Sequence, residues 1–294
     1  MKTARGAGRR ISLRSGGAEA YFMWVGADGL TPLLSDKSRD TSRNLGGTAE
    51  RRFVPCWDGA FFECGVWSVE LYAVKYGSSM FSLGSVYFDQ KGSPRKVPFF
   101  WLFYLAKTDG KTVLFDTGFR DVSDFEKWGV TPTFPDFTDL IKDLKTRGLL
   151  AEPDAVFLTH NHFDHAGNFD LFPEAKFIIA KDALFEGVRG KDHIAVDDEY
   201  TFGPFTMKVV GGHAPGSSVV YFHHGDKKYV LTGDECYFMA NMTENRPSGA
   251  VADGQKNAAF IKDGFDRKLT PLTFHDPQIF SIYSKMTDYI AKII

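Results

Sequence analysis

The chain has 294 residues, 43% of them hydrophobic, enough for one large domain or two small ones around a real core. Its 35 Lys+Arg and 37 Asp+Glu leave a formal net charge of -2, so no global field gathers nucleic acid or anionic lipid, and the expected partner is a small molecule. No stretch reaches the roughly 18 uninterrupted apolar residues of a membrane-spanning helix, and Cys56, Cys64 and Cys236 form neither a C-x-x-C pair nor a dense framework, which points to a reducing, cytoplasmic setting without membrane attachment.

Residues 1–52 are rich in Gly, Ser, Arg and Thr with little periodicity. Arg5, Arg9 and Arg10 are followed by Arg14, Ser15, Gly16, Gly17 and Glu19, not by an apolar segment, so a secretory signal is not expected. The reading is a flexible N-terminal extension over 1–52 and one folded domain over 53–294. From Trp67, W-S-V-E-L-Y-A-V-K-Y alternates apolar and polar residues as a strand does; P-F-F-W-L-F-Y-L-A and K-T-V-L-F-D-T-G follow, separated by the turn residues Asp109 and Gly110. Between Phe134 and Leu150, Leu140, Ile141, Leu144 and Leu149 recur at helical spacing, with Asp136 or Thr138 as a cap and Gly148 near the end. The strand A-V-F-L-T then runs into a histidine cluster, and K-F-I-I-A, F-T-M-K-V-V, S-V-V-Y-F and K-Y-V-L-T supply further strands. Strands interleaved with helices imply an α/β sandwich.

The cluster is Thr159-His160-Asn161-His162-Phe163-Asp164-His165-Ala166-Gly167, with four potential ligands in six residues directly after a buried strand. Residues two apart in an extended segment point the same way, so His160 and His162 can hold one ion together. A bend redirects Asp164 and His165 to a second ion, and Gly167 permits a tight exit into a helix. Imidazole and carboxylate ligands suit Zn²⁺, and Fe²⁺, Mn²⁺ or Co²⁺ can occupy the same set.

L-F-D-T-G at 114–118, T-H-N-H-F-D-H-A-G at 159–167, G-G-H-A-P-G at 211–216, L-T-G-D at 231–234 and F-H-D at 274–276 together resemble, in order and spacing, the successive motifs of the metallo-β-lactamase superfamily, over about residues 67 to 285. The resemblance implies an αββα sandwich with two divalent metal ions at one edge. It gives His160, His162 and His213 to one ion and Asp164, His165 and His275 to the other, with Asp234 bridging and Asp116 orienting ligand histidines from behind. The alternative for Asp116 is a turn cap before Thr117-Gly118. Of the remaining histidines, His193 reads as part of a charged loop, and His223 and His224 precede the turn residues Gly225-Asp226. His275 is preferred to its competitor His224 because it follows Leu272-Thr273-Phe274, as a residue leaving a strand end would.

Two close divalent ions share a water whose pKa falls towards about 7, which makes hydrolysis the expected reaction. Flavodiiron proteins resemble H-x-E-x-D where His162 stands here, whereas one-iron sulfur dioxygenases keep H-x-H-x-D-H and remain an alternative, as does a non-catalytic binding protein on the same fold. Gly233-Asp234-Glu235-Cys236-Tyr237 resembles the N-acyl-homoserine lactonase group, with a Tyr three positions after the bridging Asp. There Tyr237 would donate to the oxyanion formed on a lactone or ester carbonyl, and Asp164 would pass a proton to the departing alkoxide; the alternative for Tyr237 is to fill an aromatic pocket. The segment His165-Ala166-Gly167-Asn168 is shorter than that group's H-A-G-G-N, and Ser217 or Ser218 replaces a histidine often seen after the P-G turn. Thioesterases of the glyoxalase-II type share the ligands but append a helical glutathione-binding region, for which the segment after His275 leaves little room. The chain has 28 Phe and 11 Tyr, and Phe81, Tyr87, Phe88, Phe99, Phe100 and Trp101 are expected on loops overhanging the metal edge, suiting a substrate with an apolar or aromatic part. Lactonase-like relatives are commonly homodimers, and the resemblance extends that expectation to this chain.

Overall fold

The computed structural model describes residues 52–55, 61–64 and 67–294; apart from Arg52, the expected extension over 1–52 lies outside the described residues. Strands β1 (Arg52–Pro55) and β2 (Phe61–Cys64) pair antiparallel. The long strands β3 (Val69–Ser82) and β4 (Lys96–Thr108) form an antiparallel ladder with a register shift between Lys75 and Gly77. β5 (Lys111–Phe115) follows a tight turn whose residues Asp109 and Gly110 both have positive φ, 45° and 79°. β6 (Thr131–Pro132) pairs with β3, and β7 (Ala155–Leu158), β8 (Lys176–Ala180) and β9 (His193–Val196) add to β5 in parallel.

The second sheet is a meander of β10 (Glu199–Phe202), β11 (Phe205–Val209), β12 (Ser218–His224) and β13 (Lys227–Leu231), completed by β14 (Thr270–Leu272) parallel to β13. β15 (Ser284–Lys285) and β16 (Ile290–Lys292) return to the first sheet, whose order is β15-β16-β3-β4-β5-β7-β8-β9.

Period-two alternation assigns the faces. From the first sheet Leu102, Tyr104, Phe115 and Phe157 meet Phe205, Met207, Val220, Phe222 and Leu231 of the second, a core between the sheets. On the first sheet's other face Trp101, Phe103, Leu114 and Val156 receive Phe137, Leu140 and Leu144 from the helix Phe137–Thr146. Val219, Tyr221 and Val230, on the outer face of the second sheet, pack with Phe260 and Ile261 of the helix Gly254–Asp266. The layers are therefore helix, sheet, sheet, helix, the expected αββα sandwich. Among the described residues no helix is long and apolar enough to cross a membrane.

The first of these helices starts where its cap was expected, with the Asp136 carboxylate accepting from Thr138 N at 2.8 Å. Three local expectations need correction. His193 opens β9, paired with Phe177, and does not lie in a loop. Gly167 has an ordinary helical φ of -66°; glycine is needed there because a Cβ would collide with the Phe163 carbonyl oxygen. The aromatic residues expected on loops belong largely to β3 and β4, and alternation splits them: Phe99 and Trp101 face the helix side, whereas Phe100 turns to the other face and meets Phe280 with ring centres 5.8 Å apart.

The segment at 249–250 crosses the short helix Leu83–Val86 tightly. Gly249 N and Ala250 N both donate to Ser85 O, at 3.0 and 2.9 Å, and a Cβ on Gly249 would collide with the Gly84 carbonyl oxygen. The contact is backbone against backbone, so no flexible side chain can give way. Gly249→Ala is therefore expected to lower stability by about 1–3 kcal/mol, read as a drop in the urea midpoint; an unchanged midpoint would contradict this crossing.

Candidate metal centre

The residues singled out in the sequence leave the sandwich at one edge. Asp116 follows β5 and the segment 159–165 follows β7, while Asp234 follows β13 and His275 follows β14, each from the carboxyl end of a parallel strand. His213 lies in the connection between β11 and β12. Backbone bonds join the two halves there: Ser218 N donates to Thr159 O at 2.8 Å, and Phe100 N and Leu102 N donate to His275 O and Phe274 O, both at 3.0 Å.

All seven expected ligands come together, in two groups that share Asp234. His160, His162, His213 and Asp234 form one, and Asp164, His165, Asp234 and His275 the other; within each, one ligand atom per residue lies within 4.8 Å of the rest. All are buried except His162, which faces solvent. His224 is in neither group, and sits at the exposed end of β12 opposite Lys227.

Hydrogen bonds on the far side of each ring assign the tautomers. His165 Nδ1 donates to Asp116 Oδ2 at 2.7 Å, His213 Nδ1 to Ala250 O at 3.0 Å and His275 Nδ1 to Phe100 O at 2.9 Å. The Thr159 hydroxyl donates to Asp116 Oδ2 at 2.9 Å, which leaves its oxygen to accept from His160 Nδ1 at 3.1 Å. With Nδ1 so engaged, Nε2 of each of these four rings is turned inward. His160 Nε2 and His213 Nε2 each come within 3.0 Å of His162 Nδ1. In the other group His165 Nε2 and His275 Nε2 face Asp234 Oδ1 at 3.1 and 3.0 Å.

His165 Nε2, Asp234 Oδ1 and His275 Nε2 are buried without a well-aligned hydrogen-bond partner, and such a convergence of polar atoms carries a desolvation penalty that a cation among them offsets, a proton on His165 or a metal ion in its place. The donor set and its unsatisfied atoms fit divalent metal ions.

Charge balance follows the same geometry. Burial alone would lower the His165 imidazole, but the carboxylates of Asp164, Asp234 and Asp116 outweigh it and hold the ring well above the usual histidine range. Burial would raise Asp234, and His165, His275 and His213 pull it well below the usual carboxylate range instead. For His160, burial and the neighbouring His165 and His213 act together to push it far down. Burial, followed by Asp234 and Asp164, pushes the Tyr237 phenol well above its ordinary value, which keeps its proton available for donation.

Aromatic rings form the surrounding wall. Phe99 stacks on His275 with ring centres 4.2 Å apart and planes inclined by 15°, and Trp101 meets the same imidazole edge-on at 5.3 Å. Phe81 stacks on Phe99 at 4.4 Å and lies 6.2 Å from Trp128, which in turn stacks on Phe163 at 5.8 Å. Beside Phe163, Phe119, Arg120, Val122 and Gly167 line a surface groove. Tyr237 is buried with its hydroxyl 3.4 Å from both Ala250 O and His213 Nδ1. Phe88 is 55% exposed and Tyr87 packs on Phe238, so neither joins this wall. Sequence reasoning missed Thr159, whose hydroxyl position just before the ligands was the available signal, and Trp128 and Phe119, for which local sequence offered none.

Residues 100–180 match the family model described as the metallo-beta-lactamase superfamily. A hydroxyacylglutathione hydrolase of Brucella anthropi is 38% identical over 138 residues, 44% of this chain and 51% of that protein. The same-named protein of Brucella ovis is 37% identical over 91 residues, 29% of this chain and 34% of that protein. The chain thus spans about half or less of the curated relatives it matches. Among solved structures, an N-acyl homoserine lactone hydrolase with the product N-hexanoyl-L-homoserine at its catalytic metal centre superposes with a TM-score of 0.63 at 19% identity, covering 75% of this chain and 98% of the other. A dizinc quorum-quenching lactonase gives 0.53 at 18%, covering 77% and 94%. At these identities the structural likeness speaks to the fold, which is of the metallo-β-lactamase type.

The competition between the two late histidines is open to a direct check. His275→Ala is expected to lower the metal content of the purified protein, and His224→Ala to leave it unchanged, both read by elemental analysis. The reverse pattern would overturn this ligand set.

Proposed function

We propose, from a chain with the metallo-β-lactamase fold, that it is a dinuclear metal-dependent hydrolase opening a lactone or ester. The observation that carries the reading is the pair of inward-facing donor groups sharing Asp234, with His165 Nε2 and His275 Nε2 converging on Asp234 Oδ1 at 3.1 and 3.0 Å in a buried setting that suits a metal ion. His160, His162 and His213 would hold one ion and Asp164, His165 and His275 the other, and Zn²⁺ suits this mixture of imidazole and carboxylate. When bound, such ions supply a water of lowered pKa and a Lewis acid for the carbonyl oxygen.

The protein's own residues supply the rest. The Tyr237 hydroxyl, held loosely by contacts of 3.4 Å, is free to exchange them for a developing oxyanion, and its raised pKa keeps it a donor throughout. Asp164, an ionised carboxylate buried beside His165 and His275, would accept the proton left by the attacking water and pass it on to the departing alkoxide. Phe99, Phe81, Trp128 and Phe163 would exclude water and seat an apolar acyl or aromatic part of the substrate. The lactonase with product at its metal centre supports a small-molecule substrate of this kind. A thioester is the second reading, favoured by the hydroxyacylglutathione hydrolase relatives.

A panel of lactones, esters, thioesters, phosphodiesters and β-lactams distinguishes these readings. On the best lactone, Tyr237→Phe should preserve fold and metal content while lowering kcat by roughly tenfold to a thousandfold. An unchanged kcat with a raised KM would make the tyrosine a wall of the pocket, binding ground and transition states alike. Turnover of thioesters with no lactone hydrolysed would reject the lactonase reading in favour of the second one.

A further inference from the structure

The Glu235 side chain is fully buried beside Asp234, and none of the ligand groups uses it. Its Oε1 accepts from Gly212 N at 2.8 Å, His213 N at 2.9 Å and the Ser217 hydroxyl, while Oε2 accepts from Asn257 Nδ2 at 2.9 Å. All four donors are neutral, so no ion pair explains the burial of this carboxylate. Two of them are the backbone amides that carry His213 into the first ligand group. Nothing larger than glycine fits at 212, where a Cβ would collide with Glu235 Oε2.

The far side of the same loop is also fixed. Ala252 N donates to His213 O at 3.0 Å and Asp253 N to Gly212 O at 2.8 Å, immediately before the helix Gly254–Asp266 that supplies Asn257. Asn257 in turn donates to Glu235 O at 2.8 Å and accepts from Ser248 N at 3.0 Å. The bridging ligand Asp234 and the loop of His213 are therefore joined through one side chain, Glu235, whose reach sets their separation.

Building on the dinuclear reading above, we propose that Glu235 is a positioning residue for the first metal site, acting through the length of its side chain on His213. By contrast, the second group is held from elsewhere: His165 by Asp116 and His275 by Phe100 O. The two sites are accordingly separable. Shortening Glu235 withdraws the acceptor from the Gly212 and His213 amides and loosens that side of the His213 loop, but leaves Asp164, His165 and His275 in place.

Two conservative variants separate reach from charge. Glu235→Asp keeps the charge and withdraws the oxygens by one methylene, whereas Glu235→Gln removes the charge and keeps an acceptor oxygen at full reach. In titrations of metal-stripped full-length protein with Co²⁺, followed by visible absorption, Glu235→Asp should weaken one of two binding steps by about tenfold or more and leave the other unchanged. Glu235→Gln should keep most of the affinity at both. Loss in Gln with retention in Asp, or equal affinities in Asp and wild type, would overturn the proposal. Should Glu235→Asp not fold, Glu235→Gln decides: near-wild-type binding at both steps supports positioning by reach, and a weakened first site rejects it. A wild type with a single Co²⁺ step would instead reject the dinuclear reading on which the inference stands.

Discussion

One buried carboxylate ties the metal edge together. Asp116 takes a left-handed backbone conformation, φ 63°, in a fully buried position, a conformation that costs a non-glycine residue about 1–3 kcal/mol. Asp116 N donates to Phe157 O and Thr117 N to His165 O, at 2.8 and 2.7 Å, which locks the turn between two parallel strands. In that pose the side chain accepts from Thr159 N at 2.7 Å, from the Thr159 hydroxyl at 2.9 Å and from His165 Nδ1 at 2.7 Å. A single residue thereby orients His165 directly and His160 through Thr159, one member of each group.

The other supports are of the same type and come from the sandwich rather than from loops alone. The carbonyl of Phe100 on β4 holds His275, and the ring of the preceding residue, Phe99, lies flat against it. The carbonyl of Ala250 holds His213 and approaches Tyr237, in the segment that crosses Gly84 and Ser85. Asp276, next to His275, accepts from Met239 N at 2.8 Å and so ties the segment after Tyr237 to the second ligand group. Ligands held by hydrogen bonds to rigid strands keep their lone pairs converging without rearrangement, the preorganisation that metal binding and oxyanion stabilisation both require.

Legibility followed locality. The loop at 159–167 could be read directly because four candidate ligands fall within six residues and follow a strongly apolar strand. His213, Asp234 and His275 are scattered over a long stretch of chain and became legible only through the resemblance of the whole motif series. The strand that the argument for His275 requires is β14, which carries this residue to the edge beside β13, although three residues are too few for β14 to announce itself by alternation. The helix Gly254–Asp266 was hidden by glycines at 254 and 264 and by the few apolar residues it buries. On β4 both faces are covered, so P-F-F-W-L-F-Y-L-A reads as a continuous apolar run, and which ring meets His275 depends on a register that only the folded sheet defines. The approach of Trp128 to Phe163 is tertiary in the same sense.

Asp234 stands at the centre of the proposed chemistry, since two cations held by groups that share this residue would need an anion between them. Elemental analysis of wild type beside Asp234→Ala tests this most directly. About two divalent ions per wild-type chain are expected, with clear loss in the variant. A wild type holding about one ion, or an Asp234→Ala protein that still holds two, would contradict the shared-carboxylate arrangement.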